Sequence, residues 1–159
     1  MFRPILVALL LVVGIPLANS CPLAKSEDSF RLVAPMKTEV TSNFGPRVNA
    51  ILQVMKMHLG VDYRAALGDQ VAAAAPGTVT DVGLKGAYGN QITVRHSADL
   101  ETTYSHLSKI DAAVGDCVVA GGLIGNAGST GLASKVQLHF ELKRDGRLID
   151  PLPLMSTTP

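Results

Sequence analysis

Four histidines stand out as the residues of this chain most able to do chemistry, at positions 58, 96, 106 and 139. His139 sits in Val136-Gln137-Leu138-His139-Phe140-Glu141-Leu142, which alternates polar and apolar residues, the period of a half-buried strand. Gln137, His139 and Glu141 then share one face, with about 7 Å between successive members. Leu138, Phe140 and Leu142 share the other face and would anchor the strand in a core. His58 and Asp62 lie four apart in His58-Leu59-Gly60-Val61-Asp62. Gly60 and Val61 are poor helix formers, so a loop running into a strand is expected, with both side chains chelating from a bent backbone. His58, Asp62 and His139 together make two imidazoles and one carboxylate. With a fourth position open, that is the catalytic donor set for one zinc ion. Such a metal activates water and polarises a carbonyl. A single His is more often structural than a ligand, so the reading depends on the combination.

The elements that must position these groups point to an all-β fold. Aromatic residues are only 4%, while Gly is 15 and Pro is 9. Many turns and few helices follow from that. Thr78–Gly83 and Gln91–His96 alternate and should pair as a hairpin around the turn at Gly86–Asn90. Glu101–Leu107 reads as a third strand, with Thr102, Tyr104 and His106 on one face. Ala65–Ala75 tempts a helix assignment, but its end at Pro76-Gly77 fits a strand and turn at least as well. Thr41–Arg47 reads as a strand end followed by a turn at Gly45-Pro46, and Val48–Met57 as a short helix or irregular loop. Leu67-Gly68-Asp69-Gln70-Val71 is echoed by Val114-Gly115-Asp116-Cys117-Val118, and the shared Gly-Asp-x-Val suggests an internal structural repeat. Ile124–Gly131 reads as a Gly-rich loop without the Lys-Ser/Thr pair of a phosphate loop. Arg147–Pro151 should close the domain as an edge strand.

The 159 residues suffice for one domain, and a net charge of +1 without a basic run excludes nucleic acid binding as the main task. Residues 1–20 read as a signal peptide: Arg3, an apolar run from Ile5 to Ala18, then the small-x-small Ala18-Asn19-Ser20. Export to the periplasm or cell envelope is therefore expected, with the mature chain starting at Cys21. Two readings of Cys21 stay open. It pairs with Cys117, the only other Cys, or it carries a lipid and ties the chain to a membrane. Residues 21–35 read as a linker or docked arm, and 36–155 as the domain.

Five stretches occur in a particular order: Ser42-Asn43-Phe44-Gly45-Pro46-Arg47, His58-Leu59-Gly60-Val61-Asp62, Gly89-Asn90-Gln91-Ile92, Tyr104-Ser105-His106-Leu107 and Leu138-His139-Phe140-Glu141. As a set they resemble the lysostaphin-type, or LytM, zinc metallopeptidases over nearly the whole mature chain. The resemblance implies a small antiparallel two-sheet β domain with a metal groove between loops. It implies one zinc held by His58, Asp62 and His139, with His106 as the catalytic His opposite it. The implied substrate is the peptide part of bacterial peptidoglycan. His96 matches a frequent family position that is not a ligand, and it reads as structural.

One departure matters. The family strand reads His-x-His, and here Gln137 replaces the first His. An amide can donate a hydrogen bond to an oxyanion or orient water, but it cannot take a proton near neutral pH. General-base duty then falls on His106 alone or on another group. The function expected is that of an exported zinc endopeptidase remodelling the cell wall. The alternative is a catalytically weak or inactive activator whose partner is another cell-wall hydrolase. Three further residues carry two readings each. Glu141 either orients a ligand imidazole or pairs with Lys143 or Arg144. Arg47 either binds a substrate carboxylate or makes a structural ion pair. Tyr104 either donates to substrate or packs at the edge of the core.

Overall fold

The computed structural model describes residues 21, 31–49 and 52–156. The expected signal peptide and residues 22–30 of the expected arm lie outside them. The first four strands are β1 (Val40–Ser42), β2 (Gly45–Val48), β3 (Met55–His58) and β4 (Val61–Arg64). The next four are β5 (Gln70–Ala72), β6 (Gly77–Leu84), β7 (Asn90–Arg95) and β8 (Leu100–Ile110). The last are β9 (Cys117–Val118), β10 (Leu123–Ala127), β11 (Gln137–Arg144) and β12 (Arg147–Ile149). Among the described residues, the helical elements are two single 3-10 turns, at Gly86–Tyr88 and Leu152–Leu154. The domain is all-β and antiparallel, as its composition led us to expect.

Ten strands form one sheet whose main path runs β1-β4-β11-β8-β7-β6-β9, with β10 between β8 and β5 and with β12 on β11. β2 and β3 form a separate two-stranded sheet. β11 is central. It pairs with β8 on one side, and with β4 and then β12 on the other. Its alternation is realised as expected: Leu138, Phe140 and Leu142 are fully buried in the core. Phe140 packs against Tyr104 and, edge-on, against Tyr63, with ring centroids 5.3 and 6.5 Å away. Edge-on and tilted contacts suit the opposed charges of aromatic faces and rims.

The expected β6–β7 hairpin is present, in register from Thr78↔Arg95 to Leu84↔Asn90. The Gly-Asp-x-Val repeat is also a structural repeat. Asp69 Oδ2 accepts from Ala66 N–H at 2.7 Å, and Asp116 Oδ2 accepts from Ala113 N–H at 2.8 Å. Each turn feeds a short strand, β5 and β9 respectively. A carboxylate closing a turn on a nearby backbone N–H is a local device that recurs wherever the sequence does.

Two expectations need correction. Val48 and Met55–Met57 are strand rather than helix or irregular loop, because β2 and β3 pair from Gly45↔His58 to Val48↔Met55. The first half of Ile124–Gly131 is strand β10 rather than loop. Its partners β5 and β8 are remote in sequence, so the local Gly content misleads. Residues 31–35 are docked on the domain: Leu32 is fully buried, and Pro35 O accepts from Ala72 N–H. Cys21 and Cys117 form a disulfide. A sulfur so bonded cannot also carry a lipid thioether.

His96 is structural, as expected. It is fully buried, with Nδ1 donating to Pro76 O at 2.8 Å and Nε2 2.7 Å from the Thr102 hydroxyl. Burial lowers its pKa, outweighing the Pro76 carbonyl and Glu101, which raise it. The unfolded chain therefore takes up a proton near pH 6.5 that the folded chain refuses. His96 withdraws stability as pH falls below that point and leaves stability unchanged above it. An NMR titration should find its ring midpoint below 6.5. A midpoint at or above that value would contradict the burial argument.

Candidate metal centre

The site forms where the two sheets meet. β3 ends in His58, and Leu59-Gly60 turn the chain into β4, which carries Asp62. β4 pairs with β11 so that Asp62 lies directly opposite His139. Three donors from three strands thereby reach one point. Gly60 is required for that approach. A Cβ there would lie 2.3 Å from Phe140 O and 3.0 Å from both Glu141 Cγ and His139 Cε1.

The donor atoms face one another. His58 Nε2 is 3.1 Å from Asp62 Oδ1 and 3.1 Å from His139 Nδ1, and His139 Nδ1 is 2.8 Å from Asp62 Oδ1. All three residues are buried. The far ring nitrogens fix both tautomers. His58 Nδ1 donates to Asn43 O at 2.7 Å, and His139 Nε2 donates to Glu141 Oε1 at 3.0 Å. Each imidazole, once neutral, therefore presents a lone pair to the shared point. Two lone pairs and a carboxylate oxygen this close repel unless a positive charge lies among them. A tetrahedral zinc with bonds near 2.0–2.1 Å has donor-to-donor edges of about 3.3 Å, close to these separations. The field at that point favours positive charge, a proton on His139 Nδ1 that a divalent cation would displace. Burial opposes a charged His139, yet Asp62 and Glu141 raise its pKa to about 9, while the two histidines hold Asp62 well below the usual carboxylate range. Donor set, tautomers and field all fit a divalent cation.

Glu141 is buried on His139, whereas Lys143 pairs with Glu101. Arg47 pairs with Asp62 Oδ2 at 3.1 Å. Tyr104 has no place in the groove. It is fully buried, its hydroxyl accepts from Ala74 N–H at 2.7 Å, and it lies 2.9 Å from Thr102 Oγ1. A role for Tyr104 at the substrate or beside the metal is thus corrected to core packing.

His106 reaches the site by a backbone irregularity. β8 places Ser105 opposite His139 and Thr103 opposite Glu141, so strict alternation would send His106 to the core face with Thr102 and Tyr104. Instead His106 adopts φ +65°, in the left-handed region that a side chain rarely tolerates, and turns into the groove. Its ring centroid lies 6.0 Å from that of His139. Nδ1 donates to Thr130 O at 2.8 Å, which leaves Nε2 as the lone-pair nitrogen. Burial lowers its pKa first, and Thr130 O partly offsets this. The same Thr130 accepts from Asn90 N–H through Oγ1 at 3.0 Å and donates to Leu107 O at 2.8 Å. Gly89 must be glycine at this clasp, because a Cβ would lie 2.4 Å from Thr130.

A groove of about 460 Å³ opens over the cluster, and Gln137, His106, Tyr88 and Arg47 line it. Sequence reasoning missed Tyr88, which it read as part of a turn. The ring sits with its centroid 5.8 Å from that of His139. Burial, then Glu141, raises the pKa of its hydroxyl and keeps it a donor. Asn43 and Thr130 were missed as tautomer-setting groups too. They act through backbone carbonyls, which leave no mark in residue type.

The chain belongs to Peptidase family M23, whose model matches residues 56–151. The lysostaphin-type resemblance is thereby borne out. Over 135 residues it is 37% identical to a DD-carboxypeptidase/endopeptidase, Mpg, of Neisseria meningitidis, covering 85% of this chain and 31% of that one. Over 108 residues it is 35% identical to a peptidoglycan DD-endopeptidase, ShyC, of Vibrio cholerae, covering 67% of this chain and 25% of that one. The chain thus spans about a third or less of these relatives' length. A zinc-containing peptidase from Vibrio cholerae shares the fold with a TM-score of 0.70 at 29% identity, over 82% of this chain and 40% of that one.

Proposed function

We propose that this protein is an exported zinc metalloendopeptidase that hydrolyses peptide bonds in peptidoglycan. The observation that carries the reading is the convergence of His58, Asp62 and His139 with both imidazole tautomers fixed from behind. Zinc bound there would polarise a carbonyl and activate water. His106, neutral and with Nε2 free, takes the proton of the attacking water and returns it to the leaving amine. Gln137 offers an amide N–H to the developing oxyanion, and Tyr88 a phenolic O–H. Lys56 and Lys135 line the same groove and suit a peptide bearing free carboxylates. The family membership, the peptidoglycan endopeptidase among the relatives and the zinc in a related peptidase support the same assignment. The apolar N-terminal segment supports delivery to the cell envelope.

A muropeptide digest tests the reading. The purified mature chain should contain one zinc and release peptide-cleaved fragments from isolated cell wall. Gln137→His discriminates against the activator alternative. A second imidazole should raise kcat of an already active enzyme by about 10²-fold or less, the lower end of what general acid–base help supplies. If the native chain cuts nothing and only the variant does, the native protein is the inactive activator.

A further inference from the structure

Asp62 has two oxygens, and the structure sends them in different directions. Oδ1 faces His58 Nε2 at 3.1 Å and His139 Nδ1 at 2.8 Å. Oδ2 instead accepts from Arg47 Nη2 at 3.1 Å. The Asp62 side chain is 3% exposed and that of Arg47 is 35% exposed, so the guanidinium stands between the buried donors and the groove. Arg47 lies on β2, and β2 pairs with β3, the strand that ends in His58. One hairpin therefore delivers a ligand and a restraint on the neighbouring ligand.

Zinc accepts a carboxylate through one oxygen or two, and it tolerates five-fold coordination. A catalytic site depends on a position left open for the reacting group. Nothing in the two histidines prevents Asp62 from rotating its second oxygen into that position. Among the described residues, Arg47 is the partner that competes for Oδ2, and a charge-assisted guanidinium hydrogen bond is a strong one. We propose that Arg47 is a positioning residue that holds Asp62 Oδ2 out of the donor cluster, so that Asp62 gives the metal a single oxygen and the fourth position stays free. This inference rests on the zinc reading above, and it differs from a role for Arg47 in binding substrate.

The test uses the full mature chain loaded with Co²⁺, whose visible absorption is strong in four-fold coordination and weaker in five-fold. Arg47→Gln should weaken that band, because the freed oxygen joins the metal. Zinc affinity, measured by chelator competition, should fall about 10- to 100-fold, as for other partners of metal ligands. Arg47→Lys keeps a point charge without the planar fork and should fall between the two. It also serves as the readout should Arg47→Gln fold poorly. Arg47 variants with the native cobalt spectrum overturn the proposal even where hydrolysis falls, because Arg47 then acts on substrate. A native chain that takes up no cobalt overturns the metal centre itself, and this inference with it.

Discussion

His139→Ala should leave a protein that neither retains zinc nor hydrolyses peptides. His139 is the proposed ligand on the central strand, and its Nδ1 lies within 3.1 Å of the other two donors. Alanine removes that donor and leaves one imidazole and one carboxylate, too few for a zinc site of this class. It also leaves Glu141 without the N–H it accepts from. Leu138, Phe140 and Leu142 still anchor β11 in the core, so the far-ultraviolet circular dichroism should keep its strand signature. Elemental analysis and a peptide-release assay on the same sample decide the matter. Stoichiometric zinc together with native activity in this variant would sink the assignment.

His106→Ala should separate chemistry from metal binding. His106 is no member of the donor cluster, and its Nδ1 is committed to Thr130 O. Zinc content should therefore stay native while kcat drops about 10²- to 10⁴-fold, the range for loss of a general acid–base. Gln137 cannot compensate, because an amide does not take up a proton near neutral pH. The loss should thus fall at the upper end of that range. The substitution also relieves little of the backbone strain, since alanine at φ +65° is still disfavoured. A parallel thermal melt guards against reading misfolding as lost catalysis. Native kcat in the variant would move the proton-transfer role to another group.

Much of this was legible from residue order. The alternation of Val136–Leu142 reported a strand with a polar face and a core face, because pleating forces neighbours to opposite sides. The Gly-Asp-x-Val repeat reported two similar turns, because a carboxylate closing onto a backbone N–H three residues earlier is local chemistry. Pairings between remote segments were less legible. Val48–Met57 lacked a clear period, and its conversion into a hairpin was set by partner strands and by the need to deliver His58. Tyr104 looked available to substrate, but the depth of β8 in the sheet fixed it in the core.

The amino-acid sequence by itself determined the donor types, the all-β character and the family, since each depends on residue identity and short-range periodicity. The tertiary structure alone decided how those donors face one another. Register between β4 and β11 set Asp62 opposite His139, and two backbone carbonyls with one buried carboxylate chose which nitrogen each imidazole presents. A single left-handed residue, His106, overrode the strand period and turned a ring that alternation assigns to the core into the groove. These are long-range or conformational facts, and no local pattern encodes them, because the energy that fixes them comes from partners distant along the chain.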